Sequence, residues 1–134
     1  MTSPLAAHRL EALSTVARDR GARWLALHGS RARGDHRPDS DWDFAYAGEH
    51  TDALGLMGDL VQVLDTDRVD LSRSPTASIL FQHRVVSNGV LIYEDLPGIW
   101  LDYKVEVSIR WCDMEPVLTR AYAAQVQAWR DHGS

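Results

Sequence analysis

The chain has 134 residues and a mass of 15.0 kDa, one domain's worth, which excludes a second full catalytic domain. With 45% hydrophobic and 25% charged residues it is too apolar for intrinsic disorder and should fold around one core over residues 1–134. Lys and Arg number 14 against 19 Asp and Glu, a net charge of -5, so the basic surplus that phosphate-backbone binding needs is missing and duplex nucleic acid is disfavoured as a partner.

In chain order, Ala6, Leu10, Leu13 and Ala17 recur at helical spacing and predict an amphipathic helix over 4–20, stopped at Gly21. Trp24 to Leu27 is an apolar run of strand length. Gly29-Ser30 interrupts it, with Ser30 an expected N-cap for a short helical turn through Arg33. A loop from Gly34 to Ser40 leads into a second strand, Asp41 to Ala47. Leu54, Met57, Val61 and Leu64 predict a helix over 52–65, and Arg68 to Ser72 a short strand. Pro75 suits the first position of a third helix carrying Ala77, Leu80, Phe81 and Val85. Asn88-Gly89 signals a turn before a strand from Val90 to Tyr93. From Gly98 the pattern is helical again, with Trp100, Tyr103, Val107, Trp111, Met114, Leu118, Tyr122 and Trp129 as a core stripe, and Pro116 expected to kink the segment or start a new helix after Asp113. The expected architecture is α+β: a small mixed sheet covered by helices, with a C-terminal helical segment.

Several chemistries lose their signatures. The lone Cys112 excludes an internal disulfide and a cysteine zinc cluster, and no two histidines stand three or four residues apart. No stretch approaches about 18 uncharged apolar residues, and residues 1–10 hold no leader pattern, so a cytoplasmic protein without a membrane span is expected. There is no GKS or GKT phosphate loop, no GxGxxG and no GxSxG. Catalysis is therefore sought among carboxylates.

The informative region is Gly29-Ser30-Arg31-Ala32-Arg33-Gly34 followed by Ser40-Asp41-Trp42-Asp43. Alternation along a strand puts Asp41 and Asp43 on one face and turns Trp42 and Phe44 into apolar packing. Two acids side by side repel unless a cation joins them, and Mg²⁺ held by one or two carboxylates plus substrate phosphates is the common solution. Asp70, between Val69 and Leu71, adds a third carboxylate if its strand neighbours the first. Gly29 and Ser30 stand where a strand ends and a helix begins, a place whose free N–H groups favour phosphate. These are the parts of an in-line displacement at phosphorus.

Gly29-Ser30, ten residues, then Asp41-Trp42-Asp43 resembles the signature of the DNA polymerase β-type nucleotidyltransferase superfamily, and GSRARG with PDSDWDF is similar to its minimal nucleotidyltransferase (MNT) branch. The likeness is strongest over 24–46 and extends through Asp70 and Ile79 to Tyr93. It implies a compact nucleotidyltransferase fold using ATP and two Mg²⁺ ions, with Asp41, Asp43 and Asp70 as catalytic metal ligands and Gly29 and Ser30 as nucleotide-binding residues. It also implies an antitoxin paired with a HEPN toxin, whose tyrosine hydroxyl would receive AMP. Trp42 and Phe44 replace the smaller aliphatics usual there, and His28 replaces an apolar or aromatic residue.

Competing readings exist for these residues. A lone DxD is usually a solvated strand end, and the spaced Gly-Ser reverses that. Ser30 could be a plain cap and Asp70 an edge residue. Arg31, Arg33 and Arg37 are placed to meet phosphates, Arg33 being the nucleotide-binding candidate, although Asp35 and Asp39 among them also fit surface ion pairs. At the level of function the alternatives are a small-molecule or tRNA hydroxyl as acceptor, or a non-catalytic antitoxin that neutralises its partner by binding, with the 98–130 segment as a dock.

Overall fold

A computed structural model describes residues 5–133, so the expected helix start at residue 4 lies outside it. The elements are α1 (Ala7–Asp19), β1 (Trp24–His28), α2 (Gly29–Arg33), β2 (Trp42–Ala47), α3 (Ala53–Leu64), β3 (Val69–Arg73), α4 (Ile79–Asn88), β4 (Val90–Glu94) and α5 (Ile99–Gly133), with a 3-10 turn at Ser74–Thr76. The four strands form one mixed sheet in the order β3-β2-β1-β4. β1 runs antiparallel to β2 and β4, while β2 and β3 are parallel. This is the α+β arrangement expected from the sequence.

Alternation divides the strands between two cores. Leu25 and Leu27 of β1, Trp42, Phe44 and Tyr46 of β2, and Val69 of β3 pack with Leu13 and Ala17 of α1 and Leu56, Leu60 and Leu64 of α3. On the opposite face Trp24, Ala26, Ala45 and Ala47 meet Val85 and Val86 of α4 and Trp100 and Val107 of α5. Small alanines on this second face let α4 and α5 approach closely, and the Trp24, Trp100 and Tyr103 rings fill the space above them, with Trp24 and Trp100 centroids 4.7 Å apart. Arg20 ties the end of α1 to α3, pairing with Asp52 at 2.8 Å and Asp59 at 2.7 Å.

Three expectations are corrected. Pro75 sits in the 3-10 turn rather than opening a helix; α4 begins at Ile79, where the Ser78 hydroxyl caps it by accepting from the Phe81 N–H at 3.2 Å. The change of direction expected at Asn88-Gly89 is the passage from α4, which Asn88 closes, into β4, with Gly89 at φ -68°. What requires glycine there is packing, since a Cβ would lie 3.2 Å from Trp100 Cη2 and overlap the Val85 carbonyl oxygen. Of the two outcomes expected at Pro116, a kink or a new helix, the new helix is corrected: α5 runs through it as one helix. The N–H that Pro116 lacks would have served the carbonyl of exposed Cys112, which water can satisfy. Finally, the α5 stripe is core only in its first half. Trp100 and Val107 are buried, but Leu118, Tyr122 and Trp129 are 39%, 70% and 75% exposed.

Candidate active site

The site forms on the α4/α5 face of the sheet, at the end where β1 stops and β2 and β3 begin. In register, His28 of β1 stands opposite Asp43 of β2, and Asp43 stands opposite Asp70 of β3. The row Asp70, Asp43, His28 therefore crosses three adjacent strands. Phe81 of α4 extends it, its ring edge-on to His28 at 5.4 Å between centroids. Asp43 is half-buried, while Asp70 and Asp41 are exposed, Asp41 lying one residue before β2.

Backbone geometry joins this row to the Gly-Ser turn. Gly29 opens α2 with φ +74°, a conformation that L side chains rarely adopt. A Cβ there would overlap Asp43 Oδ2 and stand 3.2 Å from its Cγ, so the missing side chain is what lets the carboxylate sit against the turn. The N-cap position belongs to His28, without a side-chain cap, and Ser30 lies inside the first turn. The expected capping role of Ser30 is therefore corrected: its hydroxyl has no hydrogen-bond partner among the described residues.

The three arginines separate. Arg31 donates from Nε and Nη2 to the Ser40 carbonyl at 3.1 and 3.0 Å, and from Nη2 to the carbonyls of Pro38 and Arg37 at 3.3 and 3.5 Å. Its guanidinium also lies 4.2 Å from the centroid of the Trp42 ring. Arg31 is thus the staple that presents Asp41 and Asp43, not a free cation. Arg33 pairs with Asp35 at 3.3 Å on the surface and lines the cleft. Arg37 is exposed on the loop.

That cleft, of ≈ 420 Å³, is lined by His28, Gly29, Arg33, Asp43, Asp70, Phe81, Arg84 and Asn88. The last three stand along one side of α4 at spacings of three and four, next to its buried Val85 and away from Val86. The apolar spacing of α4 marks only its packing positions; the recurrence of Phe81, Arg84 and Asn88 is the sequence signal for its cleft side.

Burial pushes the Asp43 carboxyl above the usual range; His28 opposes the shift, Asp70 and Asp41 add to it, and Arg33 opposes it. Burial likewise lowers the His28 imidazole against the pull of Asp43, and its Nε2 is buried without a hydrogen bond. A carboxylate held near two others with so little compensation suits a hard cation bound through oxygen. Among the described residues no three His, Cys, Asp or Glu side chains close a cage by themselves, so phosphate oxygens and water would have to complete the coordination. The residues present fit Mg²⁺ in that manner.

Known proteins resemble this chain in sequence and in fold. The family profile described as "Polymerase beta, Nucleotidyltransferase" matches residues 11–96. Protein adenylyltransferase MntA of Aphanizomenon flos-aquae (strain 2012/KM1/D3) is 32% identical over 88 residues, covering 55% of this chain and 57% of that protein. The chain thus spans a little over half the length of this curated relative. A chain of the crystal structure of a toxin-antitoxin with AMP-PNP superposes with TM-score 0.66 at 20% identity, covering 84% of this chain and 98% of that one. A chain of the complex of tri-AMPylated Shewanella oneidensis HEPN toxin with MNT antitoxin gives 0.60 at 18% identity, covering 86% and 97%. At these identities the structures establish the fold.

Proposed function

Since the chain belongs to the polymerase β nucleotidyltransferase family, we propose that it transfers AMP from ATP to a hydroxyl of a partner protein, a tyrosine of a HEPN-type toxin, and so acts as the antitoxin of the pair. The observation that carries this reading is the seat of Asp43 against Gly29 and in register with Asp70, which brings a phosphate-binding turn and two carboxylates to one cleft. The partner is supported by the relatives, one described as a protein adenylyltransferase and others as antitoxins in complex with their toxins.

In this mechanism Asp41, Asp43 and Asp70 would hold two Mg²⁺ ions, which when bound would supply charge neutralisation at the phosphates. Gly29 and Ser30 bind the triphosphate through backbone N–H groups and the Ser30 hydroxyl, and Arg33 adds a cation at the same side. Asp70, on the outer strand, takes the acceptor proton as the hydroxyl oxygen attacks the α-phosphorus. The reaction belongs to the cytoplasm, where ATP is present and the exposed Cys112 thiol stays reduced.

A second reading, neutralisation by contact alone, draws on the exposed apolar residues of α5, among them Leu118, Tyr122 and Trp129. The Asp41→Ala/Asp43→Ala double variant distinguishes the two. Under the transfer reading it loses both activities: the co-expressed partner no longer gains the mass of an AMP residue, and its toxicity returns. A double variant that still neutralises the partner and co-purifies with it overturns the enzymatic account in favour of contact.

A further inference from the structure

We propose that Arg84, on α4, is the cation that receives the leaving pyrophosphate. This rests on the nucleotidyltransferase reading and assigns it a second wall of the cleft.

The cleft has two sides, defined by the row Asp70, Asp43, His28, Phe81. Asp70 lies on β3 at one end. At the other end α4 packs against both β1 and α2, so Phe81, Arg84 and Asn88 face the cleft beside Gly29 and Arg33. In an in-line displacement the acceptor and the leaving group occupy opposite sides of the reacting phosphorus. With the acceptor at the Asp70 side, the bond from the α-phosphorus to the bridging oxygen breaks toward α2 and α4. Pyrophosphate departs there with the bonding electron pair, while the acceptor proton passes to Asp70.

The guanidiniums in this region are not equivalent. Arg31 is bound to loop carbonyls, and Arg33 pairs with Asp35. Arg84 has neither an ion pair nor a side-chain hydrogen bond among the described residues; only its backbone carbonyl is engaged, accepting from Asn88 Nδ2 at 3.5 Å. It is also absent from the groups that shift the Asp43 carboxyl, where Arg33 acts. A free guanidinium on the wall of a cleft that also holds carboxylates, yet disengaged from them, is poised for an anionic ligand. Phosphate oxygens match its planar fork of donors. Being exposed and outside both cores, it can be replaced without disturbing the fold.

The test is titration calorimetry of the wild-type protein and Arg84→Gln with AMP-PNP, pyrophosphate and AMP, each with Mg²⁺. A charge-assisted contact predicts that the variant binds AMP-PNP and pyrophosphate about ten- to hundredfold more weakly. AMP, which lacks the leaving group, should change by less than about threefold, and Arg84→Lys should recover part of the loss. Unchanged affinity for AMP-PNP, or an equal loss for AMP, overturns the assignment of Arg84. A wild-type protein that binds none of the three overturns the nucleotidyltransferase reading itself.

Discussion

Gly29 and Asp43 form a pair in which each fixes what the other can be. At φ +74° an alanine at position 29 carries the strain of a left-handed residue, and its Cβ would also displace the Asp43 carboxylate. Gly29→Ala should destabilise the fold by roughly 1–3 kcal/mol and abolish the proposed AMP transfer, measured by thermal melts beside a transfer assay; a stable, active variant would show that the carboxylate need not sit against the turn. Asp43 carries a second prediction. A carboxyl whose folded pKa is raised binds its proton more tightly in the native state, so its contribution to stability is fully present below the ordinary carboxylate range and is lost as pH rises through the raised pKa. In the presence of a chelator, Asp43→Asn should therefore melt at or above the wild-type temperature at neutral pH, and the advantage should vanish below about pH 4. Addition of Mg²⁺ with nucleotide should stabilise only the wild type. A variant that melts well below wild type in chelator would assign Asp43 a structural role.

Among elements, the link between α5, α4 and the exit of β3 has the most consequence. Tyr103 of α5 shares a 2.6 Å hydrogen bond with the hydroxyl of buried Ser74 and donates to Gln82 Oε1 at 3.1 Å; Arg110 donates to the same oxygen at 2.6 Å. Burial raises the Tyr103 phenol pKa, which keeps it a donor. Tyr103→Phe should cost about 1–3 kcal/mol by leaving Ser74 and Gln82 short of a partner, a fall in Tm of several degrees; an unmoved Tm would mean that Arg110 alone satisfies Gln82. The same region shows what a sequence discloses. The meeting of Gly29 with Asp43 was legible in the spacing of the Gly-Ser and Asp-Trp-Asp segments, and β1 to β3 because alternation distinguishes their faces. The start of α4 was not: Pro75 reads as a helix opener unless Ser74 is known to be tied to Tyr103, 29 residues away. Nor was the capping of α2, which Ser30 fits by residue type but which the left-handed Gly29 moves back to His28. Arg84 carries no motif and Asn88 reads only as part of a turn signal, and the packing of α4 against α2 is what brings them to the cleft.

At the scale of the molecule, α5 is out of proportion. Its 35 residues span about 50 Å, yet only the stretch through Trp111 packs on the body, where Trp111 stacks on His83 at 4.1 Å. Beyond it every described position but Val126 is exposed, and Pro116 removes a backbone hydrogen bond near the base of the overhang. Most of a helix's stability in a protein comes from packing its apolar face, and this stretch has none to draw on. Chymotrypsin under native conditions should therefore cut first at Tyr122 and Trp129, leaving a fragment that still melts cooperatively and binds AMP-PNP; mass spectrometry of the digest checks this, and a chain that resists until it unfolds globally refutes it. The consequence reaches into turnover. If proteases attack the overhang when it is bare and a bound partner shields it, the lifetime of the chain becomes a readout of how many copies are occupied. Surplus protein would then be removed at a rate set by the opening of one helix, leaving its abundance matched to that of whatever covers it.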